Sequence, residues 1–142
     1  MIAFSVYGIP GPQGSKRHVG GGRMIESSAK VKPWREAVKW AAREAMVKQD
    51  GWEALDGPLV ATMVFTLPKP KSAPKTRQTW PDRKPDLSKL IRSTEDALVD
   101  AGLIQDDARI VAYARAAKVF PGEDLAALES PGCFIKVWRV GR

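Results

Sequence analysis

The sequence predicts a small single-domain α+β fold, with a mixed β-sheet of about four strands packed against two helices. Three observations predict it. The 142 residues suit one compact domain over the whole chain, 1–142, and leave little room for a second core. Two segments repeat apolar residues at three- and four-residue steps, as a helix with one buried face requires. Four other segments are short runs of β-branched and aromatic residues bounded by proline and glycine, as strands are.

Residues 2–8 form the first expected strand, which stops at Gly8-Ile9-Pro10-Gly11-Pro12, where the prolines remove ladder donors. Residues 13–32 carry Lys16, Arg17, Arg23, Lys30 and Lys32 among glycines and serines without a hydrophobic period, and are expected to be a mobile basic loop. Pro33 suits the first turn of a helix, and Trp34, Ala37, Val38, Ala41, Ala45 and Val47 give that helix its apolar stripe before Asp50-Gly51 ends it. A second strand is expected at 59–67, between Asp56-Gly57-Pro58 and Pro68. Residues 69–84 form a second basic loop with Lys69, Lys71, Lys75, Arg77, Arg83 and Lys84 among prolines. Its only aromatic, Trp80, is expected in the core or at a subunit contact rather than stacked on a base.

From Asp86, the positions Leu87, Leu90, Ile91, Thr94, Ala97, Leu98 and Ala101 recur at helical steps. Asp86 suits the N-cap and Gly102 the left-handed C-terminal position. Residues 109–120 and 133–140 complete the expected set of strands.

A formal net charge of +7 favours polyanionic partners, nucleic acid first among them. One cysteine, Cys133, and one histidine, His18, exclude an internal disulfide and a Cys/His zinc site within one chain, so any metal must sit on oxygen. Cys133 lies in an apolar run and is expected to be a small buried hydrophobe. His18 has no recognisable partner, which argues against a covalent Ser or Cys hydrolase. No run approaches the roughly 18 apolar residues of a membrane span and no signal pattern opens the chain, so a cytoplasmic protein with no membrane partner is expected.

The carboxylates carry the candidate chemistry. Taken singly, Asp86 need be no more than a helix cap and Asp106-Asp107 no more than a solvated turn. Together, two or three convergent aspartates plus a substrate phosphate would make a sufficient cage for Mg²⁺, which keeps several waters and prefers oxygen.

The run Arg83-Lys84-Pro85-Asp86-Leu87-Ser88-Lys89-Leu90, followed by Asp96-Ala97-Leu98, Gly102 and Asp106-Asp107-Ala108-Arg109-Ile110, resembles the RusA family of Holliday junction resolvases. The opening Gly8-Ile9-Pro10-Gly11-Pro12-Gln13-Gly14-Ser15-Lys16-Arg17 is similar to that family's proline, glycine and basic start. The resemblance implies a RusA-like fold and a homodimeric, Mg²⁺- or Mn²⁺-dependent endonuclease that places paired nicks in four-way junction DNA. It also implies an association with phage or prophage. It implies metal ligation by Asp86 and Asp107, with Asp106 beside them and Asp96 as an auxiliary carboxylate. Arg92 stands where the family usually has a lysine, and keeps the charge without the ability to exchange a proton. Ser88 replaces the family's second aspartate and removes a negative ligand. That departure leaves two expectations open, a working nuclease with a weakly held metal or a branched-DNA-binding protein on the same scaffold. Lys16, Arg17, Arg23, Lys69, Lys71, Lys75, Arg77, Arg83 and Lys84 are the expected DNA contacts.

Overall fold

The computed structural model describes residues 1–14, 16–19, 23–26 and 29–141, with backbone alone for 16–19 and 23–26. Strand β1 (Ile2–Tyr7) buries Ile2 and Val6 and exposes Ala3, Ser5 and Tyr7, the two-residue period of a strand with one face on the core. Helix α1 (Val31–Val47) buries Val31, Trp34, Val38 and Ala42 at three- and four-residue steps. Strand β4 (Leu59–Thr66) is buried at every position from Met63 to Thr66, as expected of a strand covered on both sides. Helix α2 (Leu87–Ala101) follows, and Gly102 closes it in the left-handed region at φ 83°. Strands β5 (Ile110–Val119) and β6 (Gly132–Arg139) complete the main sheet.

The sheet order is β1-β6-β4-β5. Strand β4 runs parallel to β5 and antiparallel to β6, and β1 is antiparallel to β6. Parallel neighbours need a long crossover, and α2 is that crossover. One core joins the helices to the sheet through Trp34, Val38, Leu90, Leu98, Met63, Phe65, Ile135 and Val137, all buried. Cys133 is fully buried within it and its thiol is pushed well up by desolvation, as expected of an inert packing residue.

The segment expected to be only a basic loop contains a hairpin, β2 (Lys16–Val19) paired antiparallel with β3 (Arg23–Glu26) in a separate two-stranded sheet. Backbone pairing alone defines this hairpin, so hydrophobic periodicity could not reveal it. Helix α1 begins at Val31, and Pro33 falls within its first turn as expected.

Two contacts fix the N-terminal loop on α2, and a third joins α1 to α2. The Ser93 hydroxyl donates to the Gly11 carbonyl at 2.6 Å, the Gln13 N–H donates to the Lys89 carbonyl at 2.9 Å, and the Trp34 indole donates to the Thr94 hydroxyl at 3.0 Å. Gly11 lies so close to α1 that a Cβ there would stand 2.2 Å from the Lys30 carbonyl oxygen.

Candidate active site

Asp86 is the N-cap of α2, but its side chain makes no capping hydrogen bond. An N-cap aspartate ordinarily accepts from the N–H two or three residues on. Here the half-exposed carboxylate instead stands 3.9 Å from Lys89 Nζ and opens on a cleft of about 1370 Å³.

A second acidic group lies further along the same helix. At about 1.5 Å per residue, Asp96 sits roughly 15 Å from Asp86 along the axis. The 3₁₀ turn Asp107–Arg109 brings Asp107 within electrostatic reach of Glu95 and Asp96. Asp106 caps that turn by accepting from the Ala108 N–H at 3.0 Å. This bond and the neighbouring Asp107 side chain hold the Asp106 carboxyl below its ordinary range. Asp107 is raised, first by the neighbouring Asp106 side chain, then by partial burial and the charges of Asp106 and Asp96. Glu95 is raised by burial, although the Tyr113 hydroxyl donates to it, and Asp107 and Asp96 add to the shift. The Tyr113 phenol is correspondingly pushed up by burial and by Glu95. Glu95 and Asp107 thus both act on the Tyr113 phenol, Asp96 adds its charge to each of them, and Asp86 stands at the start of the same helix.

Glu95 and Tyr113 are the site residues that sequence spacing missed. Glu95 is too far along α2 to replace Ser88, and only the return of β5 beside α2 puts Tyr113 on it. Register irregularities between β4 and β5 fall at Leu59/Val60 and Ala61/Thr62, around Tyr113, which pairs with Ala61. Such bulges re-aim edge-strand side chains next to functional sites.

Ser88 and Arg92 are exposed on α2, and Arg92 has no ion pair among the described residues. In the basic loop between β4 and α2, Lys71, Lys75, Arg77, Arg83 and Lys84 are exposed, whereas Lys69 is half-buried and paired with Glu123. Lys16, Arg17 and Arg23 fall on β2 and β3, and their side chains lie outside the described residues. Trp80 is 55% exposed and lines the cleft, so it is not a core residue.

Among the described residues, no three Asp, Glu, His or Cys side chains stand close enough to hold a metal ion by themselves. A Mg²⁺ site of two carboxylates, completed by water and substrate phosphate, does fit the donor set. Asp106 and Asp107, neighbours at the start of the turn after α2, are the pair that would supply those carboxylates.

Fold and site together describe a small basic α+β protein with a cationic cleft at the start of α2 and paired acidic residues on the turn after it, the make-up of a phosphodiester-directed enzyme. The sequence matches the endodeoxyribonuclease RusA family over residues 8–136, nearly its whole length, and the chain belongs to that family of nucleases. A comparison with curated proteins returned no match. No helix among the described residues is long and apolar enough to cross a membrane.

Proposed function

We propose that this protein is a metal-dependent, structure-specific endodeoxyribonuclease that resolves four-way junctions or related branched DNA by paired nicks. The observation that carries this reading is the RusA-family match over residues 8–136, with Asp107 on the turn after α2 brought towards Glu95 and Asp96 on the helix. Asp106 and Asp107 would hold Mg²⁺ or Mn²⁺, with Asp96 as auxiliary, and the bound ion supplies Lewis acidity at the phosphodiester. Asp86, uncapped and open to the cleft, faces the same phosphate path from the start of α2.

The chain's own residues then position the substrate. Arg92 neutralises a phosphate oxygen or the leaving group, and its guanidinium does not exchange the proton. Arg83, Lys84 and Lys89 line the cleft and neutralise further phosphates. Glu95, held by the Tyr113 hydroxyl, adds negative charge beside the acidic turn and so favours a cation there. A homodimer suits a junction, whose two equivalent strands a twofold axis can meet with equal surfaces.

A labelled synthetic four-way junction tests the reading. Paired symmetric nicks that need Mg²⁺ or Mn²⁺ and stop with chelator are expected, and no cutting of any branched substrate with either ion would contradict it. Ser88 and the lack of a three-carboxylate cage favour one second reading, a branched-DNA-binding protein of reduced activity. In that case binding occurs without metal and Ser88→Asp restores cutting.

A further inference from the structure

The cleft at Asp86 is lined by the N-terminal loop, by residues 67–86 and by the start of α2. At about 1370 Å³ it exceeds the roughly 300–1,000 Å³ of an ordinary small-molecule pocket, and it is a trough rather than a closed cavity. Seven of its lining residues are prolines, which give rigid apolar walls. Leu67 and Phe120 are buried beneath it. Lys30, Arg83, Lys84 and Lys89 line it against two acids, Asp82 and Asp86, so its charge is positive.

Trp80 stands in this cleft more than half exposed. A loop of this length without secondary structure is usually functional or disordered. Here its backbone is pinned on both sides of the tryptophan. Before it, Glu123 accepts from Lys69 and from the Thr79 N–H at 2.8 Å, and Gln78 donates to the Glu123 carbonyl at 2.8 Å. After it, Lys118 Nζ donates to the carbonyls of Arg83 and Pro85, each at 2.9 Å. Trp80 is therefore presented on a fixed frame.

Resting on the nuclease reading above, we infer that this cleft binds unpaired nucleotides at the branch point, one base stacked on Trp80 and the flanking phosphates on Arg83, Lys84 and Lys89. Both faces of a paired base are hidden in its stack, so an aromatic on a rigid frame selects strand that has left the duplex. The cations and prolines fit a polyanion with apolar faces better than an acidic peptide, which offers no ring to stack.

The test is fluorescence anisotropy with a short labelled oligodeoxythymidylate without added metal, alongside binding of an intact four-way junction. Wild type is expected to bind the oligonucleotide. Trp80→Ala should weaken it by about 5- to 150-fold, with Trp80→Phe restoring most of the affinity and the salt dependence unchanged. Arg83→Ala or Lys84→Ala should instead lower the slope of log affinity against log salt by close to one phosphate contact. Circular dichroism checks that the exposed Trp80 site leaves the fold intact on substitution. If wild type ignores the oligonucleotide, or Trp80→Ala binds it equally well while the junction is still bound and cut, the inference is overturned alone. Loss of junction binding and cutting by wild type overturns the nuclease reading instead.

Discussion

Asp107 and Asp124 are two carboxylates of the same chain whose surroundings drive them in opposite directions. Arg115 grips Asp124 with two hydrogen bonds of 2.7 Å, and this, with the Ala126 N–H, lowers the Asp124 carboxyl to about 2. A lowered group contributes stability above its unfolded value and loses it as pH falls through the folded one. Asp124→Asn should therefore cost stability at neutral pH, on the order of 1 kcal/mol once screening at the part-exposed Arg115 is counted, with the difference vanishing towards pH 2. Thermal unfolding of both proteins across acid pH checks it. Asp107 runs the other way: raised, its contribution is present below the ordinary value of 3.8 and is lost as pH rises through its folded value. Without metal, Asp107→Asn should leave the melting temperature unchanged or slightly higher at neutral pH. It should also remove cutting by far more than the roughly 10- to 100-fold typical of an outer-shell partner. A large loss of stability in this variant would show Asp107 to be structural.

Elements decide where these side chains meet. The βαβ unit of β4, α2 and β5 carries Tyr113 back beside Glu95 and Lys118 back to the loop before Asp86. Both helices and the four strands of the main sheet were legible because the helices leave a three- and four-residue apolar period and the strands leave short β-branched and aromatic runs bounded by proline and glycine. The β2–β3 hairpin was not, because it has no apolar period. Asp86 at the N-cap and Gly102 at the C-cap were also legible, since caps are local. The pairing of Glu95 with Tyr113 was not, since it depends on the return of β5 beside α2. Trp80 was expected in the core or at a subunit contact because large aromatics are usually covered; it is not in the core, and its ring lines the cleft. Two substitutions probe these elements. Gly11→Ala must move the Lys30 backbone and should cost roughly 1–3 kcal/mol in denaturant unfolding. Glu123→Ala frees the loop on the Trp80 side, so limited proteolysis within residues 68–86 should quicken while the core stays resistant.

At the scale of the molecule, the net charge of +7 and the cationic cleft at the start of α2 suit holding DNA, and the acidic turn after α2 suits cutting it. Affinity for any branched DNA should fall steeply with salt, and light scattering of the free protein is expected to report a dimer. The central claim is that Asp86 and the Asp106-Asp107 turn serve DNA cutting although Ser88 occupies the family's second acidic position. Cleavage of one synthetic four-way junction in Mg²⁺ or Mn²⁺, by wild type and by Asp86→Asn, Asp107→Asn and Ser88→Asp, tests it most directly. The account predicts paired nicks by wild type and their loss in both Asn variants, with junction binding retained. Wild type that binds without cutting until Ser88→Asp is introduced, or undiminished cutting by Asp107→Asn, would contradict it.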